Sequence, residues 1–97
     1  MERRIYLNNL YDYYRELFTE KQQSYFEDYY YNNFSLSEIA ENNNVSRNAV
    51  HNQIKIVEER LEQFEQILGL DSKKQQIIDL IVNEVSKDTL DKVIDLL

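Results

Sequence analysis

Apolar residues recur along most of the chain at steps of three and four, the spacing that gathers side chains on one side of an α-helix. The repeats are interrupted by Asn, Ser, Thr and one Gly, while proline is absent from the sequence. Such residues end and begin helices without requiring long loops. We therefore predict an all-α fold, in which residues 1–68 form a four-helix domain with a long fourth helix and residues 69–97 form a C-terminal helical hairpin.

The first two predicted helices, over residues 5–18 and about 20–31, supply most of the predicted core. Thr19 is the expected N-cap of the second helix, with Gln22 at the reciprocal position of a capping box. The tyrosine run at residues 29–31 is either a base-stacking platform or core, and helical spacing favours core because at least two of the three face inward. The predicted inward residues are Leu7, Leu10, Tyr11, Tyr14, Leu17, Phe18, Tyr25, Phe26, Tyr29 and Tyr30.

Residues 35–60 predict two helices joined by a tight turn. Ser35 and Glu38 have the S-x-x-E spacing of a capping box, which marks the start of a short helix. Residues 42–44 are all Asn, a residue type that tolerates the left-handed conformation of a turn. Ser46 then caps a longer helix, in which Ala49, Val50, Ile54, Val57 and Leu61 form one apolar stripe. This arrangement is a helix-turn-helix.

The outer face of the second of these helices is polar and locally cationic. No acidic residue occurs between Glu41 and Glu58. Arg can bond guanine, Asn can bond adenine, and Lys, His or a hydroxyl can bond phosphate, so the set suits a DNA major groove. A solvated polar face without a ligand is the alternative, and we favour DNA binding. The candidate DNA-binding residues are Ser46, Arg47, Asn48, His51, Asn52 and Lys55.

Two stretches carry a resemblance to known families. Residues 38–55, EIAENNNVSRNAVHNQIK, resemble the second half of a sigma-factor region 4 domain, with Asn44 where Gly is usual. Together with IYLNNLYDYYRELFTEKQQSYFEDYYYNNFSLSEIA at residues 5–40, they make the chain similar to the YlxM family of small bacterial helix-turn-helix proteins. Genes of that family tend to lie beside signal-recognition-particle genes. The resemblance therefore implies a regulatory role in that pathway, with its protein or RNA as a possible partner.

The acidic composition weighs against strong DNA binding by a single copy. The formal net charge is −7. Residues 1–67 contain 7 Lys and Arg against 12 Asp and Glu, a balance of 7 − 12 = −5, so the acidity is not confined to one end. Phosphate neutralisation supplies much of the affinity of DNA-binding proteins. A second hypothesis is therefore an adaptor that has lost DNA binding and meets a basic protein or a ribonucleoprotein.

Catalysis, metal binding and membrane insertion have no support in the sequence. Cysteine is absent and His51 is the single histidine, so a nucleophile with its base and a metal-ligand spacing are both missing. Glu58 and Glu62 lie one turn apart, and we interpret them as a solvated helix face. No apolar run approaches the ~20 residues that span a bilayer. We expect a cytoplasmic protein that is not an enzyme and has no cofactor, metal or membrane partner.

The C-terminal hairpin is more apolar than a two-helix unit can bury by itself. Gly69 is expected to end the fourth helix in the left-handed conformation, followed by helices over about residues 73–85 and 86–97, the second capped by Ser86. The hairpin must therefore pack either on the long fourth helix or on a partner chain. The breadth of its apolar surface favours the partner, in a homodimer that holds two recognition helices ~34 Å apart. The predicted dimer contacts are Ile77, Ile78, Ile81, Val82, Val85, Leu90, Val93 and Ile94.

Overall fold

The computed structural model describes residues 2–97, so that residue 1 of the predicted 1–68 domain lies outside the described residues. These residues form six α-helices and one short 3₁₀ turn, which confirms the all-α prediction. The helices are α1 (Arg3–Tyr14), α2 (Glu20–Tyr30), α3 (Leu36–Asn43), α4 (Arg47–Leu68), α5 (Leu70–Ile81) and α6 (Lys87–Leu96), with the 3₁₀ turn at Arg15–Leu17 between α1 and α2.

Side-chain caps begin the helices where the sequence predicts them. The Thr19 hydroxyl accepts a hydrogen bond from the Gln22 backbone N–H at 3.1 Å, and the Gln22 side chain accepts one from the Thr19 N–H at 3.1 Å. Ser35 and Glu38 form the same reciprocal pair at the start of α3. Ser86 caps α6. Each cap satisfies backbone donors that have no partner within the helix.

The core lies between α1, α2, α3 and α4 and is rich in aromatic side chains. The Tyr11 ring stacks on Phe26 at 4.3 Å, and Phe26 stacks on Tyr30 at 4.4 Å. Tyr30 is buried and Tyr29 is half-buried against the core, whereas Tyr31 is exposed. The predicted core role of the tyrosine run is therefore confirmed for two of its three residues.

Leu17 is an exception among the predicted core residues. It is 58% exposed, although the helical repeat of the sequence places it on the inner stripe. The α-helix ends at Tyr14 and the chain continues as a 3₁₀ turn. The tighter winding of that turn, about three residues instead of 3.6, rotates Leu17 away from the core, while Phe18 is buried just beyond it.

Tyrosine hydroxyls connect the core to the acidic side chains around it. Tyr11 donates to Glu27 at 2.7 Å, Tyr14 donates to Glu65 at 2.9 Å, and Tyr30 donates to Glu58. Burial, followed by the bond to the neighbouring carboxylate, raises the pKa of all three tyrosines. A tyrosine hydroxyl is already protonated at neutral pH, and the raised pKa values extend its role as a hydrogen-bond donor to more alkaline pH.

The acidic pair of α4 has a structural role that the sequence did not indicate. Glu58 accepts the Tyr30 hydroxyl, and Glu62 pairs with Arg3 on α1 at 2.5 Å. Both carboxylates are half-buried rather than part of the freely solvated face that we expected. Within residues 2–97, no three His, Cys, Asp or Glu side chains are grouped so that they could hold a metal ion.

The junction between α4 and α5 is sharper than the sequence predicts. Gly69 ends α4 with a φ of 61°, as expected, but α5 begins at once with Leu70 instead of at about residue 73. The Glu65 carboxylate accepts hydrogen bonds from the backbone N–H groups of Asp71 at 3.1 Å and Ser72 at 3.0 Å. The preceding helix thus supplies the cap of α5, and no residue within residues 70–75 has to provide it.

The C-terminal helices lie against the edge of the helix-turn-helix part. Helix α5 lies against α1, where the Lys74 ammonium sits 5.8 Å from the centre of the Tyr13 ring, and α6 lies against α5. No residue from 69 to 97 is buried. Across residues 2–97, no helix is both long enough and apolar enough to pass through a bilayer.

Replacing Glu65 with Ala should destabilise this junction. The substitution removes the carboxylate that caps α5 and leaves the Tyr14 hydroxyl without its acceptor on α4. We therefore expect the free energy of unfolding to fall by about 1–2 kcal/mol. Glu59→Ala removes the same charge from an exposed position of the same helix and serves as the control. Thermal unfolding followed by circular dichroism measures both. Equal melting temperatures for the two variants would contradict the capping role.

Candidate nucleic-acid interface

The turn between α3 and α4 is held by the left-handed conformation of one asparagine. Asn44 has φ 54° and ψ 43°, which confirms that it occupies the position where Gly is usual. The backbone N–H of Val45 donates to the Ala40 carbonyl at 3.1 Å, a bond that closes the end of α3. Val45 also packs against the core. The angle between α3 and α4 is therefore fixed by both the backbone and an apolar anchor.

Helix α4 begins with the cap that the sequence predicts. Ser46 has an extended backbone, and its hydroxyl oxygen accepts a hydrogen bond from the Ala49 N–H at 3.0 Å. The inner side of the helix is an apolar seam, of which Ala49 is only half-buried. The buried residues of the seam are Val50, Ile54, Val57 and Leu61.

A buried glutamine joins this helix to the start of α2. Gln22 is 8% exposed, and besides its capping bond it donates from Nε2 to the Gln53 Oε1 at 3.3 Å. The sequence indicated the capping role of Gln22 but gave no signal for the second contact, because that contact depends on how α2 crosses α4. Gln53 is half-buried and lies beside the exposed face of α4, not on it.

All six predicted DNA-binding residues lie on the exposed side of α4 or at its cap, and we call this set the α4 polar face. Helical spacing places Arg47, His51 and Lys55 in one row and Asn48 and Asn52 in the adjacent row. From Arg47 to Lys55 the face extends about 12 Å along the helix axis. In the ion pairs formed by residues 2–97, neither Arg47 nor Lys55 takes part. The α4 polar face members are Ser46, Arg47, Asn48, His51, Asn52 and Lys55.

Exposed carboxylates precede and follow the α4 polar face along the chain. Glu38 and Glu41 are exposed on α3, and Glu59 is exposed one turn beyond Lys55. Because carboxylates repel the negative charge of phosphate, only the first two to three turns of α4 suit an anionic ligand. In the second half of the helix, glutamates bond to side chains of α1 and α2.

A concave part of the surface lies away from this face. A cavity of about 350 Å³ lies between α1 and α5, with Asp12, Asp71 and Lys74 in its wall. It shares no residue with the α4 polar face. The polar face is a projecting helix surface, the shape that enters a groove and not the shape that encloses a small molecule.

Comparison with known proteins gives one family. Residues 1–96 match the UPF0122 model, described as "Putative helix-turn-helix protein, YlxM / p13 like", a description that names no catalytic activity. The UPF0122 protein of Geobacillus kaustophilus is 42% identical over 90 residues, which make up 90% of this chain and 82% of that protein. That of Listeria innocua is 50% identical over 70 residues, or 72% of this chain and 64% of the relative. That of Halalkalibacterium halodurans is 39% identical over 92 residues, or 95% and 83%.

Replacing Asn44 should test the left-handed turn beneath the α4 polar face. Alanine tolerates a positive φ less well than Asn, so Asn44→Ala should lower the free energy of unfolding by about 1 kcal/mol. Asn44→Gly should leave it within about 0.5 kcal/mol, because Gly removes the strain but adds entropy to the unfolded chain. Asn42→Ala, at an exposed position of α3, is the matched control. Chemical denaturation measures all three, and equal stability of the Asn44→Ala and Asn42→Ala variants would disprove the strain at residue 44.

Proposed function

We propose, since this chain belongs to the UPF0122 family of YlxM/p13-like helix-turn-helix proteins, that it is a regulatory protein that binds duplex DNA through the α4 polar face. The observation that carries the proposal is the exposure of this face. Its cations are not paired with the protein's own carboxylates, and the final helices do not cover it. The chemistry of the face matches the groups that the major groove presents.

The proposal assigns different contacts to different members of the face. Arg47 and Asn48, in the first turn, and His51 and Asn52, in the second, meet base edges, where Arg prefers guanine and Asn prefers adenine. Lys55 and the Ser46 hydroxyl meet phosphate oxygens, which position the helix without reading sequence. The Ser46 oxygen accepts the capping bond, and its proton remains available for a phosphate.

The bordering carboxylates set how the helix enters the groove. Glu59 would be repelled by phosphates if α4 lay along the groove for its full length of 22 residues. Only the N-terminal turns therefore enter, which is the docking geometry of recognition helices in helix-turn-helix proteins. A face of about 12 Å spans three to four base pairs at about 3.4 Å each.

Removing the two cations of the face should abolish DNA binding. In a gel-shift assay with a random-sequence duplex pool, Arg47→Ala combined with Lys55→Ala should eliminate the salt-dependent shift. If weak binding persists, the slope of log K against log salt should fall by about 1, because Lys55 is the one cation of the pair assigned to a phosphate. Both side chains are exposed, so the melting temperature should not change.

Lys21→Ala combined with Arg60→Ala is the matched control. This variant has the same net charge as the first, but its substitutions lie in α2 and in the second half of α4, at exposed positions. It should retain the shift of the parent protein apart from a small nonspecific loss. If both double variants bind as the parent does, the α4 polar face is not the DNA site.

A second candidate function is supported by the acidic border of the same face. With Glu38, Glu41 and Glu59 exposed and a net charge of −7, the surface also suits a basic protein partner, and the family resemblance suggests a component of the signal recognition particle pathway. Capture from a nuclease-treated lysate separates the two functions. An adaptor would retain a basic partner in the Arg47→Ala/Lys55→Ala variant and lose it in a Glu41→Gln/Glu59→Gln variant, whereas a DNA-binding protein without a protein partner would capture none.

A further inference from the structure

The C-terminal hairpin of α5 and α6 folds without burying a single residue. Short helices gain most of their stability from packing an apolar face, so a hairpin of helices with 12 and 10 residues is marginal by itself. Its contacts with α1 through Lys74 and Tyr13 cover one edge only. Several of its large apolar side chains remain exposed in the single chain.

Much of the apolar surface that the chain exposes lies at this end of the molecule. Ile67 is 79% exposed, Leu80 76% and Leu96 87%. The exposed large apolar residues from the last turn of α4 onward, which we call the C-terminal apolar surface, are Ile67, Leu68, Leu70, Ile77, Leu80, Val82, Leu96 and Leu97. Their exposed fractions are equivalent to between four and five whole residues, or on the order of 400 Å² of apolar area.

The structure refines which hairpin residues are available to a partner. Of the predicted dimer contacts, Ile77 and Val82 are exposed, whereas Ile78, Ile81, Val85, Leu90, Val93 and Ile94 are half-buried. The half-buried residues hold the hairpin together and against its neighbours. Leu80, Leu96 and Ile67, which are not among the predicted dimer contacts, are the most exposed of these apolar residues.

We propose that the C-terminal apolar surface binds a second copy of the same chain. If all eight residues lie within the contact, two copies would remove up to about 800 Å² of apolar area from water, and with the polar share of an ordinary interface the total would exceed the roughly 1,000 Å² that marks a stable interface. Aspartates at positions 79, 88, 91 and 95 are exposed around this surface, which disfavours an anionic membrane or nucleic acid as the occupant. Lys92 already pairs with Asp88 of the same chain at 3.3 Å. Lys73 and Lys87 are exposed and supply the opposite charge, so two copies can pair unlike charges at the rim.

The position of this surface is a further reason to propose a second copy of the chain as its partner. This step rests on the proposed function. Helix α4 is about 33 Å long, with the α4 polar face at its start and Ile67 and Leu68 at its end. Pairing through the far end leaves both polar faces uncovered. One face spans only three to four base pairs, so a DNA site of useful specificity is incomplete until a second copy adds its own.

The test measures the mass of the full chain by light scattering across a broad range of concentrations. We expect the parent to reach twice the chain mass of 11.8 kDa. Leu80→Glu and, separately, Leu96→Glu should return the mass to that of one chain, with helix content unchanged because both side chains are exposed. Leu17→Glu is the matched control, since Leu17 is also exposed but lies outside the C-terminal apolar surface, and it should leave the doubled mass unaltered.

Two outcomes would overturn the proposal: a parent that stays at the mass of one chain at every concentration, or a doubled mass that survives both Leu80→Glu and Leu96→Glu. Sequences recovered from the random duplex pool separate this proposal from the proposed function. The parent should recover a motif repeated with twofold symmetry, and Leu80→Glu should recover a single half-motif. A doubled mass without any recovered DNA would reject DNA binding and support the dimer. A half-motif recovered by a monomeric parent would support DNA binding and reject the dimer.

Discussion

The packing of one side of α4 into the aromatic core is the constraint on which the other features depend. Val50, Ile54, Val57 and Leu61 are buried on that side. Because successive residues of an α-helix are rotated by about 100°, burying this seam forces residues 47, 48, 51, 52 and 55 outward. The left-handed turn at Asn44 and the cap at Ser46 fix where the helix begins, and therefore which polar residues occupy its first two turns.

The acidity of the chain has a partly structural origin, which softens its conflict with DNA binding. Glu27, Glu58, Glu62 and Glu65 accept hydrogen bonds from Tyr11, Tyr30, Arg3 and Tyr14 respectively, so these carboxylates hold helices together. Their charge still repels phosphate at long range, but that repulsion is screened over about 8–10 Å at physiological salt. The α4 polar face contains no carboxylate, and in the proposed complex it would contact DNA directly, at distances where this screening matters little.

Features governed by neighbouring residues were predictable from the sequence, and features governed by distant residues were not. The caps at Thr19, Ser35 and Ser46 and the turn at Asn44 follow from a few adjacent positions, and the exposure of the α4 polar face follows from the helical repeat. The outward turn of Leu17, the early start of α5 and the Gln22–Gln53 bond depend on how one helix meets another. The repeat also could not tell which apolar residues of the hairpin pack inward and which, like Leu80, remain exposed.

A protein with few cations on its DNA-binding face discriminates between sequences differently from a strongly basic one. Nonspecific affinity comes almost entirely from phosphate contacts, and only Lys55 and Ser46 are assigned to phosphate here. Because the phosphate contribution is small, a larger share of the total binding free energy in the proposed complex comes from base contacts. These are the contacts of Arg47, Asn48, His51 and Asn52. Such a protein spends little time on unrelated DNA, but one copy also gains little on the correct site. In the proposed dimer, doubling the base contacts would raise specific affinity more than nonspecific affinity. The C-terminal apolar surface would then matter as much to sequence reading as the recognition helix itself.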